Sequence, residues 1–390
     1  MFVTGSLHRG GAERHTVALI NGLASRGHRC DAVYVQDRGG TVCDLGLRDR
    51  LPVHCLAAKT YLDVRAMNSL AALIRRTKPS VIVAANPYAL MYATLARRRA
   101  RARLLTTYHS TVLPSLKERL QMLAYRPFFW AADCAVFVCS EQRRYWRRRA
   151  VFSRRNEVVH NGIDETRFRN TYSDEERSKL RRGLGLSDGD YVIGISAWLR
   201  PEKNHMQLVE AVARLREQGF PARALMIGDG ELRESIEARA RALGVERHVV
   251  ITGSQRDVRP CVAVCDVVVL CSVAVETFSL AALEAMAMEK PVIHSDLGGA
   301  REMVFPGQNG FLFPARDTAA LVQRLATLAD RDLARRMGRA ARAIVEQRFA
   351  EETMVGRYET LLLELRPVEP DSAAVPEPDP NRTRGRRGLR

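Results

Sequence analysis

Two carboxylates eight residues apart, Glu276 and Glu284, mark the stretch of this 390-residue chain whose residue types best suit chemistry. Ahead of them runs Val267-Val268-Val269-Leu270, which reads as a strand buried on both faces of a parallel sheet. Residues 272–276 read as a loop. Residues 278–288 read as a helix with Leu280, Leu283 and Met286 on one face, and Thr277 or Ser279 can cap its start. A helix start offers backbone N–H groups without intrahelical partners and the positive end of a dipole, which suits a phosphate. Eight residues make roughly two turns, so both glutamates can face one ligand laid across that start. Carboxylates beside a phosphate are unfavourable as charge, but they accept hydrogen bonds well from neutral hydroxyls such as a ribose diol. The pattern therefore points to a sugar on one glutamate, a ribose on the other and a diphosphate between. An ordinary amphipathic helix with solvated glutamates gives the same spacing.

The surrounding elements repeat one design. Strand-like runs at 2–4, 30–35, 53–56, 81–85, 104–106 and 134–138 are mostly separated by helical stretches, and a second series follows at 191–197, 222–227, 249–252, 267–270 and 291–294. Such βα alternation predicts an α/β fold with doubly wound parallel sheets, whose ligands sit beyond the carboxyl ends of the strands. The length suits two domains. They are read as residues 1–165 and 191–345, joined by a polar connection at 166–190 and followed by a helix at 346–366. The tail, 367–390, has the composition of a disordered segment.

Several loops carry candidate groups. Gly10 and Gly11 follow the first strand and precede a helix, a geometry for phosphate approach but not a dinucleotide fingerprint. His109 lies just past a strand. Arg200 and Lys203 follow the strand at 191–197, where cations face the cleft and can neutralise a diphosphate. Gly228 ends the strand at 222–227, and Ser254 lies past the one at 249–252.

In chain order, Gly10-Gly11-Ala12-Glu13-Arg14, Asn161-Gly162-Ile163-Asp164, Pro201-Glu202-Lys203-Asn204, the Glu276/Glu284 pair and Gly298-Gly299-Ala300-Arg301-Glu302 resemble the motifs of retaining glycosyltransferases of family 4, the glycogen-synthase-like group with the GT-B fold. The resemblance implies two Rossmann-like domains facing across a cleft, the first on the acceptor side and the second holding a nucleotide-diphosphate sugar. It assigns Glu276, Lys203 and His109 to the reacting sugar and diphosphate, and Glu284 to the ribose. It places the amides of Phe278, Ser279 and Leu280 on sugar and diphosphate, with Gly10 and Gly11 behind them and Gly228 and Ser254 in the turns near the nucleotide. The family's phosphate-binding Arg position holds Trp198, so Arg200 is the candidate substitute. The implied reaction needs no metal and no cofactor beyond the nucleotide sugar. The family usually has more apolar residues before the glycine loop, which leaves open whether the chain starts where its relatives do.

Composition narrows the rest. A 46% hydrophobic content supports full cores, and no stretch has the roughly 20 apolar residues of a spanning helix. No secretory leader is read at the start. The eight cysteines, without C-x-x-C, read as buried thiols of a reducing cytoplasm. Residues 1–165 carry 27 Lys and Arg against 12 Asp and Glu, and the remainder 34 against 32, so nearly all of the +17 charge belongs to the first half. The run Arg143, Arg144, Trp146, Arg147, Arg148 reads as a contact for an anionic membrane surface on the cytoplasmic face. A solvated face is the default for such a run, and nucleic acid is not the expected partner. The expected acceptor is a glycan or a lipid-linked glycan of cell-surface polysaccharide or lipopolysaccharide assembly. A nucleotide-sugar epimerase of the same fold and a non-catalytic basic binding protein are the alternatives.

Overall fold

The computed structural model describes residues 1–6, 11–37, 51–98, 100–111, 115–274 and 276–366. Gly10, Arg99 of the arginine-rich segment at 97–103 and the 367–390 tail lie outside the described residues.

The chain builds two parallel sheets. The first contains β1 (Phe2–Thr4), β2 (Ala32–Tyr34), β3 (Val53–Cys55), β4 (Val81–Ala84), β5 (Arg103–Tyr108), β6 (Cys134–Phe137) and β7 (Arg155–Val158). Their order is β3-β2-β1-β4-β5-β6-β7. The second contains β8 (Tyr191–Ser196), β9 (Ala222–Ile227), β10 (Val249–Ile251), β11 (Val267–Leu270), β12 (Val292–Ser295) and β13 (Gly310–Phe313), in the order β10-β9-β8-β11-β12-β13. The order reverses between β1 and β4 in one sheet and between β8 and β11 in the other. At such a reversal the flanking helices part to opposite faces and leave a crevice at the strands' carboxyl ends.

Strand burial explains the continuous apolar runs. Val267 and Val269 pack into the core on one face of the second sheet, and Val268 and Leu270 into that on the other. In the first sheet Ile82 and Ala84 face one core and Val83 the other. β7 was not evident as a strand because Arg-Asn-Glu-Val has no apolar run. It is a half-buried edge that pairs only with β6.

Two passages join the halves. The first leaves β7 through Asn161, Gly162 and Ile163. The second returns through a π-helical turn, Val345–Phe349, into the helix Glu351–Leu365. Their backbones bond to each other: Ile163 N donates to Phe349 O at 2.9 Å, and Glu351 N to Ile163 O at 2.8 Å. A Cβ on Gly162 would stand 2.8 Å from Glu351 Cα, so this crossing needs glycine. The Glu351–Leu365 helix then packs on the first domain. Val355, Tyr358 and Leu361 share a core with Leu19, Ile20 and Leu23, and Arg26 donates to Glu352 and Glu359.

Candidate active site

Between the carboxyl ends of the two sheets lies a cavity of about 390 Å³ walled by both halves. The first half supplies Gly11, Ala12, His109 and Asn161. The second supplies the loops after β8 and β11, including Trp198, Lys203, Ser272 and Glu276, and the start of the next helix from Phe278 to Ala281. Larger or comparable hollows at the amino edges of the sheets, such as one walled by Asp174, Arg177, Asp266 and Lys290, lie on the side that such sheets do not use for ligands.

The helix after β11 is Leu280–Ala287. Ser279 caps it, its Oγ accepting from Ala282 N at 3.3 Å. Its first-turn amides therefore open at the cavity. Before it, Glu276 is fixed by two donors on one oxygen: Lys203 Nζ and Ser272 Oγ each donate to Oε2 at 2.7 Å. Burial alone would push the Glu276 carboxyl up, but Lys203, His294 and the Ser272 hydroxyl outweigh it and hold it below its ordinary range. Lys203 reaches this point because Pro201–Lys203 forms a single 3-10 turn that Asn204 ends in the left-handed conformation. The loop is backed by the turn after β12. Gly298 has φ +56°, and a Cβ there would fall 1.8 Å from Glu276 O.

Glu284 is buried on the same helix. Its Oε1 accepts from Arg14 Nη2 at 2.5 Å, across the cleft from the helix Gly11–Ser25. Burial raises the Glu284 carboxyl, and Arg14 offsets part of that rise. His109 is half-buried, its ring edge-on to His15 at 4.6 Å, and desolvation lowers it to about 4, so it is a neutral imidazole at physiological pH. Its Nε2 has no partner among the described residues, leaving that nitrogen for a ligand.

The turn between the glutamates is gripped from the first half. Thr277 Oγ1 meets Thr111 Oγ1 at 2.7 Å and donates to His109 O at 3.0 Å. Asn161 Nδ2 donates to Phe278 O at 2.9 Å. The Phe278 ring stacks on His160 at 4.8 Å. Glu302 accepts from Ser140 N at 2.8 Å and pairs with His160 Nε2 at 2.9 Å.

Other expected groups lie elsewhere. Arg200 is exposed, its guanidinium 5.7 Å from the Trp198 ring centre, and it does not wall the cavity; Trp198, 52% exposed, does. Ser254 is exposed beyond β10 and is also absent from the wall. Gly228 has φ +152° and lets the loop after β8 approach: a Cβ would fall 2.1 Å from Ala197 O. Its role is packing beneath that loop. Trp146 is fully buried, with Nε1 donating to Ser110 O at 2.8 Å, so it presents nothing to a membrane; Arg144, Arg147 and Arg148 are exposed and Arg143 half-buried. Of the cysteines read as buried thiols, Cys55 departs from expectation and is exposed. Arg14 and Ser272 were missed. Arg14 ends the Gly-Gly-Ala-Glu-Arg string, but nothing in its spacing reveals a partner 270 residues away. Among the described residues no three His, Cys, Asp or Glu side chains gather as a metal site.

Two doubly wound parallel domains with a cleft between their carboxyl edges define the GT-B class. Anabaena HepE, solved with UDP, superimposes with a TM-score of 0.83 over 93% of this chain and 99% of that one at 24% identity. Sucrose-phosphate synthase from Thermosynechococcus elongatus does so with 0.79 over 93% and 98% at 21% identity. The chain belongs to glycosyltransferase family 4: the family model "Glycosyltransferase Family 4" matches residues 9–167, and "Glycosyl transferases group 1" matches 176–344. It is 31% identical to the putative glycosyltransferase EpsD of Bacillus subtilis over 69% of this chain and 72% of that protein. It is also 31% identical to the N-acetyl-alpha-D-glucosaminyl L-malate synthase of Bacillus anthracis, over 53% of this chain and 52% of that enzyme. The protein is a glycosyltransferase.

Proposed function

We propose that this glycosyltransferase moves a sugar from a nucleotide-diphosphate donor to a glycan or glycolipid acceptor with retention of anomeric configuration and without a metal. The observation that carries the reading is the double anchoring of Glu276 Oε2 by Lys203 and Ser272 beside an open helix start. With Oε2 occupied, Oε1 remains to accept from a sugar hydroxyl. As the bond from the anomeric carbon to the diphosphate oxygen breaks, negative charge grows on the leaving group. Lys203 and the amides of Ser279 and Leu280 lie where such charge is stabilised, which supplies the electrostatic work a metal would otherwise do. Glu284 holds the ribose and Gly11 lies behind the diphosphate. Neutral His109 offers Nε2 to a donor-sugar hydroxyl. UDP in HepE and the GDP-mannose dependence named for a mannosyltransferase relative from Mycolicibacterium smegmatis both support a nucleotide-diphosphate donor.

The reading places the enzyme on the inner face of a cell membrane, in cell-surface polysaccharide or lipopolysaccharide assembly. Arg144, Arg147 and Arg148 supply the charge. Apolar contact comes not from Trp146 but from Leu116, Leu120, Leu123 and Trp130, exposed at helical spacing along Leu116–Ala131. Trp130 lies beside the arginine turn, its Nε1 donating to Ala150 O at 3.0 Å. The attachment proposed is peripheral; among the described residues no helix is long and apolar enough to cross a membrane.

A thermal-shift screen against nucleotide sugars tests the donor, and selective stabilisation is expected. NMR of the product then tests the stereochemistry: an inverted linkage overturns retention, and an epimerised donor without acceptor overturns transfer. Co-sedimentation with vesicles that ignores anionic lipid overturns the membrane assignment.

A further inference from the structure

A hollow of about 450 Å³ lies at the amino edge of the second sheet, beside Asp266 before β11 and Pro291 before β12. Two helices wall it. Asp174–Gly183 belongs to the connection between the domains, and Arg331–Ile344 runs into the π-helical turn of the return passage. Gly338 lets the second helix close on the turn before Lys290: a Cβ there would fall 2.0 Å from Glu289 O. Arg331, Arg335 and Arg339 follow at steps of four along that helix and all line the hollow. Such steps put them on one face at intervals of about 6 Å.

Arg177, Arg181 and Lys290 complete the cations of the wall. Two of the six have carboxylate partners in it: Arg181 donates to both oxygens of Asp266 at 3.1 and 3.0 Å, and Arg177 pairs with Asp174. The other four do not. Lys290 is buried, and among the described residues its Nζ donates only to Ala263 O, at 2.8 Å. Among the same residues Arg331 reaches only the backbone oxygen of Asp188, at 3.0 Å, Arg335 stands 3.6 Å from the exposed Asp332, and Arg339 has no partner. Against these four cations stand the exposed carboxylates of Asp188 and Glu289. Burial pushes the Lys290 ammonium down to about 8, a cost that an anion in the hollow would relieve.

We propose that this hollow is a binding site for a small anion carrying two or more linked phosphates. Guanidinium forks match phosphate oxygens, and three of them spread over about 12 Å of helix suit several phosphate groups better than one. No aromatic side chain among the described residues lines the hollow, so nothing there stacks on a nucleobase. Doubly wound sheets hold their reacting ligands at the opposite edge, so this anion takes no part in the transfer. Arg342, three residues past Arg339, donates to Glu165 O and Phe168 O at 2.8 Å, where the connection between the domains begins. An anion held between Arg177 and the Arg331–Arg339 face ties the connection to that helix a second time.

Calorimetric titration of the full chain with tripolyphosphate, pyrophosphate and orthophosphate at physiological salt tests the proposal. Tripolyphosphate is expected to bind about ten-fold or more tighter than orthophosphate. Arg335→Ala and Arg339→Ala, both at exposed side chains, are each expected to weaken it about ten-fold. Lys290→Met is expected to weaken it further, and should that variant not fold, the two arginine variants decide. Lys203→Ala, which removes the cation of the donor cleft, and a double Arg147→Ala, Arg148→Ala variant, which thins the other arginine surface, are expected to leave the affinity for tripolyphosphate unchanged. No binding of tripolyphosphate, equal binding of orthophosphate, or affinity kept in both Arg335→Ala and Arg339→Ala overturns the assignment. Affinity that falls with Lys203, or with Arg147 and Arg148, places the anion elsewhere and overturns it too.

Discussion

Arg14 and Glu284 meet across the cleft at 2.5 Å, so the carboxylate assigned to the ribose is already paired with a cation of the opposite domain. Arg14 is 47% exposed on its side chain, whereas Glu284 is buried. A ribose must therefore share or displace the guanidinium to reach Glu284. Arg14→Ala removes the one charge that most offsets the burial-driven rise of the Glu284 carboxyl, so that rise grows. Ribose binding needs the ionised form, and affinity falls as pH drops through the raised value. The acid limb of nucleotide affinity is expected to move to higher pH in Arg14→Ala. A pH series of nucleotide dissociation constants checks this, and an unmoved limb removes Arg14 from the site.

Lys203→Ala and Glu276→Ala are each expected to lower kcat/KM by about 100-fold or more, the scale of a lost charge-stabilising group. They differ in detail. Without Lys203, Glu276 keeps Ser272 on Oε2; without Glu276, Lys203 loses its partner but keeps its charge for the diphosphate. Steady-state kinetics on the two variants and the double variant decide: independent effects that multiply would show that the pair does not act as a unit.

Much of this arrangement was legible in the sequence because it depends on local patterns. Val267–Leu270 reads as a doubly buried strand, Thr277 or Ser279 as a cap, of which the structure uses Ser279, and the βα alternation gives both sheets. Besides Arg14 and Ser272, three further features were not legible, each for a physical reason. β7 lacks an apolar run because it is an edge. Trp146 sits among arginines, yet its ring points inward to Ser110, and charge runs do not reveal which face of a helix is buried. Arg200 lies two residues past the lost cation position, and the tight turn in which its N donates to Trp198 O leaves it outside the cavity wall.

Gly298→Ala is expected to disable the enzyme more than it unfolds it. A side chain at φ +56° costs about 1–2 kcal/mol by itself, and its Cβ would collide with Glu276 O unless the glutamate loop shifts. A displacement of roughly 1 Å at the reacting groups costs on the order of 100-fold in rate. Circular dichroism beside kinetics separates the two effects; near-normal turnover would show that the turn does not position Glu276.

Glu302 links the domains and makes their stability depend on pH. Burial pushes its carboxyl up, but His160 and the amides of Ser140 and Glu141 outweigh this and leave it below the ordinary 4.5. The folded form thus binds the proton less readily than the unfolded chain. The contribution is complete above the unfolded value and fades as pH falls through the folded one. Glu302→Ala is expected to lower stability by about 2 kcal/mol near neutrality, the scale of a charge-assisted hydrogen bond. Its Tm deficit against the unaltered protein should shrink below about pH 4.5. A deficit that is constant with pH would mean that the loss is one of packing.

The adjoining passages at Ile163 and Ala350 restrict how the lobes can travel. Because each is laced to the other by backbone bonds at Ile163, sliding one lobe past its mate would tear both, whereas swinging about the line they share tears neither. A swing about that line would return the lobes to the same alignment at each closing, so a sugar admitted at the open edge would meet the opposing lobe in the same register each time.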